Sequence, residues 1–484
     1  MTKTEKRASD PKDGRAKGSG RALGKTEVPA GVEAAPSVIA TSDRRAQGKA
    51  LRQAVPRQSQ AGWKQPANRR DPIDILVASN QGRIAELIPI RFGRMKRSPF
   101  SFYRGAAAIM ATDLATTPSS GLRVQACGDA HLLNFGGFAT PERQIVFDIN
   151  DCDETLPAPW EWDIKRLAAS MVVAAQYIGL NEAQSAHAAE ATAQAYRRAM
   201  ANYSAMRALE VWYDSIAIDQ VTEAMHNRAR VRDAVAQARD KSAPDHLFPD
   251  LVEARDGQLR FRDDPPLLYH PADEMVPGAA TGFQDALARY RASLPDYVRV
   301  LLDRYRLCDV TMKVVGVGSV GTMCLVGLFV AAEGDAIFLQ VKEARASVLE
   351  PFAGKSVFDN QGHRVVHGQR LMQSASDIFL GWARGENARD FYVRQLRDTK
   401  LSASIDTMDG TTLRKYGKLC ARALAKAHAR SGDAAMIAGY MGAGTTFDEA
   451  IREFAIGYAD QNERDYRAFV EAVRRGRLPA AEEG

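Results

Sequence analysis

Nowhere in the 484 residues do apolar side chains run on for the roughly 18–20 positions that a helical membrane span requires. The basic N-terminus also lacks the apolar stretch of a secretory signal, so the expectation is a cytoplasmic protein with no membrane span. Cysteine is scarce. Cys127, Cys152, Cys308, Cys324 and Cys420 are scattered, odd in number and free of any Cys-x-x-Cys spacing. That argues against a disulfide framework and a structural zinc site, and for reduced thiols. No internal repeat is visible, which removes solenoids and propellers.

Periodic apolar residues are missing from the first eighty positions, which are rich in Lys, Arg, Ala, Gly and Ser. Residues 1–70 hold sixteen Lys/Arg against six Asp/Glu, a net +10 that leaves −4 on the rest of a chain whose total is +6. The high isoelectric point is therefore a property of the tail and no sign of a nucleic-acid-binding core. Residues 1–80 read as a disordered basic arm. Its charge suits weak contact with anionic partners such as RNA, DNA or lipid, and suits a solvated flexible arm better.

An apolar content of 45% supports a sizeable core and one large unit or two domains of about 200 residues. Helices are expected from Ser101 to Leu114, from Asp163 to Ile178, from an Asn181 cap toward Met206, and over Phe283–Leu307, Gly362–Ile378, Thr412–Arg430 and Phe447–Arg474.

The densest chemistry lies in GDAHLLN, Gly128–Asn134, and FDIND, Phe147–Asp151. Leu122–Ala126 reads as a strand, and Gly128 permits a sharp turn after it. Gly136–Arg143 reads as a turn, and Gln144–Phe147 as the strand that returns Asp148 beside Asn134. Phosphoryl transfer from ATP calls for a carboxylate that orients the attacking hydroxyl, and for an amide oxygen and a further carboxylate that hold Mg²⁺. Asp129, Asn134 and Asp148 would fill these places, with Asp151 or Asp153 as a second carboxylate. The plain alternative is a polar loop and a hydrogen-bonded turn.

GDAHLLN resembles the catalytic loop of aminoglycoside phosphotransferases and related small-molecule kinases, H-G-D-x-H-x-x-N, with Cys127 in place of the first His. FDIND resembles their metal-binding I-D-F-x-D. WEWDIKRLA, Trp160–Ala168, resembles the helix that follows, whose Asp, here Asp163, tethers the loop. His131 would brace the loop. From about Ile84 to Arg474 the chain also resembles the bacterial family called domain of unknown function 2252, through RSPFSFYRGAA (Arg97–Ala107) and FYVRQLRDTK (Phe391–Lys400). That family implies fold and homology more than an activity.

A second constellation lies far downstream. KVVGVGSVGT, Lys313–Thr322, places Gly316, Gly318 and Gly321 after a strand, with Ser319 among them. Glycines there let backbone N–H groups approach phosphate. A dinucleotide turn carries the same spacing but needs a helix next. Here MCLVGLFV (Met323–Val330) and IFLQV (Ile337–Val341) are β-rich and separated by a Glu333-Gly334-Asp335 turn. Strand, glycine loop, strand, turn, strand is the order of a kinase small lobe. Lys342 then falls where that fold keeps its phosphate-binding lysine. Glu343 leaves the dinucleotide reading open. The stretch Gly362–Ile378 has no Glu to pair with Lys342; Glu350, Gln369 and Gln373 are the substitutes at hand.

Ordinary kinases place the glycine loop first. Here Asp129 and Asp148 precede Gly316 and Lys342 by almost two hundred residues. The expectation is an α+β, two-lobed, protein-kinase-like fold in circularly permuted order. After the arm come a helix-rich catalytic lobe at 81–300, a nucleotide-binding β lobe at 301–405, and C-terminal helices at 406–484 that complete the helical lobe. Two unrelated domains are the competing account. The expected function is transfer of phosphate from ATP with Mg²⁺ to an unidentified small-molecule or protein hydroxyl. Nucleotidyl transfer and non-catalytic nucleotide binding are the alternatives. Arg94, Arg104, Arg394, Arg397 and Lys400 are candidates for an anionic substrate or for structural ion pairs.

Overall fold

The Trp160–Tyr177 helix is apolar from Leu167 onward except at Ser170 and Gln176, and it is buried from Trp160 to Ala175, the charged Glu161, Asp163, Lys165 and Arg166 included. A helix of that composition must be surrounded. It is covered by the helices Glu182–Tyr203, Gly410–Ser431 and Thr446–Arg474. Gly417 lets two of these approach closely, because a Cβ there would lie 2.4 Å from Thr192 Oγ1. The first helix ends at Gly179, φ +78°, and Asn181 with Gln184 forms a reciprocal cap on the next.

This computed structural model describes residues 39–225, 228–240, 251–255, 258–270, 279–385, 388–396 and 400–481. The architecture is mixed α+β, and residues 41–484 form one compact unit. Among the described residues no helix is long and apolar enough to cross a membrane, and no two cysteines are joined in a disulfide.

A six-stranded sheet has the order Gly381–Arg384, Asp390–Gln395, Ala336–Ala344, Cys324–Val330, Arg306–Lys313, Leu268–Tyr269, with every neighbour antiparallel. The glycine-rich segment joins two of these neighbours, Arg306–Lys313 and Cys324–Val330. The chain re-enters the sheet at Cys324, so the helix required by a dinucleotide turn is not formed there. On one face Tyr290, Leu294, Val298 and Leu302 pack on Met312, Leu325, Phe329 and Leu339. On the other, Val252 and Phe261 cover Val326, Leu328 and Phe338. The sheet thus draws its cover from residues well before 301, the expected start of that lobe.

Three other readings are corrected. The arm is folded over its described part. The helix Thr41–Ala50 lies on Ala434–Met441, and a Cβ on Gly48 would meet Met436 O at 2.0 Å. Arg52 Nε donates to Tyr440 O at 2.8 Å and Arg57 Nη1 to Met441 O at 2.9 Å. The basic residues cap helix-end carbonyls, and glycine contacts replace an apolar stripe, so no periodicity is left to detect. Residues 1–38, nearly half of the expected arm, lie outside the described residues.

Gly136 and Gly137 belong to a strand, Phe135–Ala139, and the turn is at residues 140–143. Strand Lys400–Ser402 passes over them so closely that a Cβ on Gly136 would lie 2.6 Å from Leu401 O. The expected Phe283–Leu307 helix is two helices, Ala279–Ser293 and Asp296–Leu302, broken at Pro295, and Leu307 is already in a strand.

Candidate functional site

Strand Arg123–Ala126 ends at Cys127 and turns at Gly128, φ +81°. Only glycine fits, since a Cβ would stand 2.4 Å from Glu154 O. The turn is fixed from below by Asp163, which is buried. Its Oδ2 accepts from Cys127 N at 2.6 Å and its Oδ1 from Gly128 N at 3.0 Å. His428 Nε2 lies 3.1 Å from Asp163 Oδ2, and the other ring nitrogen is 2.7 Å from Tyr196 Oη. Asp163 therefore holds the loop, as the motif suggested. His428, on the Gly410–Ser431 helix, carried no sequence signal, because it meets Asp163 across 265 residues.

Asp129 keeps 19% of its side chain exposed. Arg166 grips its Oδ1 with Nε at 2.6 Å and Nη2 at 2.5 Å. Burial raises the Asp129 pKa, against the pull of Arg166 and Arg104. His131 Nε2 stands 3.9 Å from Asp129 Oδ2. Burial, with Arg104 and Arg166 nearby, pushes this imidazole well below its usual range, so it is neutral, and its Nδ1 accepts from Leu133 N at 3.2 Å. Asn134 Nδ2 donates to Asp129 O at 2.8 Å, so the amide's acceptor atom is Oδ1.

Asp148 is not with them. It is fully buried. Its Oδ1 accepts from Ile149 N at 2.9 Å, and its Oδ2 from Ser374 N and Ser374 Oγ, both at 2.8 Å, and from Lys426. The strand Ile145–Ile149 sends this carboxylate into the interior, where Lys426 neutralises it. The acids that meet the sheet come after the strand. Lys342 Nζ pairs with Asp153 Oδ2 at 2.8 Å, and Tyr392 Oη donates to Asp153 Oδ1 at 2.5 Å. Burial opposes the charge on both partners, but their attraction wins: Lys342 is raised and Asp153 lowered. Asp151 lies in the same field, and burial and then Asp153 raise its pKa.

The acid partner of Lys342 is thus Asp153, and no residue of the Gln361–Met372 helix. That helix supplies Arg364, whose guanidinium donates to Thr155 O at 2.5 Å and to Asp153 O at 2.9 Å. Glu343 points elsewhere and accepts from Met323 N at 2.9 Å. Arg394 Nε donates to Gln340 Oε1 at 3.1 Å. Arg397 lies outside the described residues, as does the side chain of Lys400.

Gly316 and Gly321 take positive φ, +71° and +87°. Arg94 Nη1 donates to Gly316 O and Arg83 Nη1 to Val320 O, each at 2.6 Å, and Ile84 N to Gly321 O at 2.8 Å. The ideal Cβ position of Gly318 is 3.4 Å from Arg104 O. Ser319 Oγ lies 3.5 Å from Val315 O. The segment between Arg83 and Arg104 therefore clamps the glycine loop, a contact hidden in sequence because it spans more than two hundred residues.

Among the described residues no three His, Cys, Asp or Glu side chains are grouped for a metal ion. Of the expected metal-site acids, Asp151 Oδ1 accepts from Asp153 N at 3.2 Å and Asp153 is held by Lys342.

Glu154 follows Asp153 and faces the turn at Gly128. Its Oε2 accepts from Val348 N at 2.7 Å. Burial, aided by Asp129 and Asp153, pushes its pKa from 4.5 up to about 7. The folded state holds this proton more tightly than the unfolded chain. The stabilising contribution is full below about pH 4.5 and is lost as pH rises through about 7. Urea midpoints at pH 5 and pH 8 should therefore differ more for the unaltered protein than for Glu154→Gln. Equal differences would remove Glu154 from this role.

The family model described as an uncharacterized protein conserved in bacteria (DUF2252) matches residues 83–472. The chain belongs to this family. No curated protein and no solved structure matches it. The matched span takes in both halves of the site, from Arg83 at the glycine loop, through Asp129, Asp151, Asp153 and Lys342, to His428. It leaves out the Thr41–Ala50 helix.

Proposed function

We propose that this member of the family is a phosphotransferase that uses ATP with Mg²⁺, on a two-lobed kinase-like fold in circularly permuted order. The observation that carries the proposal is the ion pair between Lys342, on the second strand after the glycine loop, and Asp153, four residues beyond the hairpin that follows the Asp129 loop. Two segments nearly two hundred residues apart meet where a nucleotide's phosphates would need both a cation and carboxylates.

Asp129 would accept the hydrogen bond of the acceptor hydroxyl, with Arg166 fixing its orientation. Lys342 would turn from Asp153 to phosphate oxygens, and the backbone of Gly316–Gly321 would cover them. Asn134 and Asp151 would hold Mg²⁺, which when bound draws negative charge off the phosphates. Asp163 and His428 keep the loop's backbone in place. Asp148 has no part in the reaction on this reading.

A second reading, nucleotidyl transfer or nucleotide binding without chemistry, draws on one observation. Lys342 and Asp153 satisfy each other, and the Gln361–Met372 helix offers no carboxylate to hold the lysine apart. ATP labelled at the γ- or the α-phosphate, incubated with the protein, Mg²⁺ and cell extract, separates these. Label transferred from γ is the expected result. Transfer from α would mean nucleotidyl transfer, and binding without transfer would mean a scaffold.

A further inference from the structure

Arg104 stands at the seam of the site with its charge uncommitted. Its Nε is buried and, among the described residues, has no hydrogen-bond partner. The neighbouring arginines are occupied: Arg166 by Asp129, Arg94 and Arg83 by glycine-loop carbonyls. The backbone beneath Arg104 touches both halves of the site. Arg104 O lies 3.4 Å from the ideal Cβ position of Gly318, at the tip of the glycine loop. Tyr103 O, one residue earlier, accepts from Arg166 Nη2 at 3.2 Å, the nitrogen that also grips Asp129. Residues 103 and 104 therefore bridge the glycine loop and Asp129. Leaving Nε there without a partner costs desolvation, and the guanidinium's charge faces Asp129.

We propose that Arg104 is the cation that binds the phosphoryl group in flight between nucleotide and acceptor. The inference rests on the phosphotransfer reading and deepens it. In the step, the bond between the γ-phosphorus and the oxygen bridging to the β-phosphate breaks, and its electron pair stays on ADP. A bond forms from the acceptor oxygen to the same phosphorus, and the hydroxyl proton passes to Asp129. Negative charge spreads over the three outer oxygens of the phosphoryl group. A guanidinium placed there stabilises that state more than it stabilises bound ATP. Burial lowers the pKa of Arg104, and Asp129 opposes the shift; the group remains charged at neutral pH.

The test uses binding. ADP with Mg²⁺ and fluoroaluminate, in which the fluoroaluminate stands in for the phosphoryl in flight, is titrated into the full chain and into Arg104→Ala and Arg104→Gln. The unaltered protein should bind this mixture more tightly than Mg²⁺ and ADP alone. Both variants should keep their ADP affinity and lose the increment, a fall of about 10³ in affinity for the mixture. A retained increment would overturn the assignment of Arg104, as would an equal loss of ADP binding in a variant with unchanged circular dichroism. An unaltered protein that binds ADP but gains nothing from fluoroaluminate overturns it too. If the unaltered protein does not bind ADP at all, the nucleotide reading fails first and takes this inference with it.

Discussion

Asp129→Asn is expected to cut phosphate transfer by about 10²–10⁴, the range for a positioned general base, and to leave ATP affinity within about threefold, because Asp129 addresses the acceptor and not the nucleotide. The amide keeps one oxygen for Arg166 but loses the charge. Arg166 is buried, so some stability is lost as well, and both quantities should be measured where the variant is fully folded. Calorimetric titration with ATP gives the affinity, and transfer of labelled phosphate gives the rate. Collapse of binding together with turnover would make Asp129 a structural or metal-binding residue. Unchanged turnover would mean that GDAHLLN only resembles a catalytic loop.

The second large effect belongs to stability. Asp148→Ala leaves Lys426 buried without a counter-charge, and Lys426→Met does the same to Asp148. Breaking one side of such a pair costs about 3–5 kcal/mol. The double variant Asp148→Leu with Lys426→Met should recover most of the loss, since a well-packed apolar pair avoids the desolvation of both ions. Urea denaturation of the four proteins makes the comparison. Equal stability of Asp148→Ala and the unaltered protein, with loss of Mg²⁺-dependent ATP binding, would return Asp148 to the metal and refute its interior role.

Asp148 shows where sequence reasoning runs out. FDIND offers two carboxylates, and strand alternation says they can differ in environment. It does not say which one meets a lysine 278 residues away. The loop itself was legible because its parts are near in sequence: Gly128 for the turn, Asn134 hydrogen-bonded to the backbone five residues back, and Asp163 in the first turn of the helix that follows the hairpin, 36 residues after Cys127. The antiparallel strands around Gly316–Gly321 were legible for the same reason, through β-rich runs and the Gly334 turn. Arg166 and His428 were not. Each works through a partner supplied by the tertiary fold, and an arginine beside a carboxylate in space has no signature in sequence. Residues 41–57 failed differently: their docking uses glycines and arginine–carbonyl bonds, and an apolar pattern was the only signal sought.

Two residues of one helix near the C-terminus, Lys426 and His428, reach Asp148 on the hairpin and Asp163 beneath the loop. During synthesis the loop's own residues leave the ribosome some three hundred residues before these arrive. The nascent chain therefore carries Asp129 on a turn whose distant anchor has not yet been made. A chain released early, short of His428, would hold every residue of the Gly128–Asn134 loop and lack the histidine that braces Asp163 beneath it.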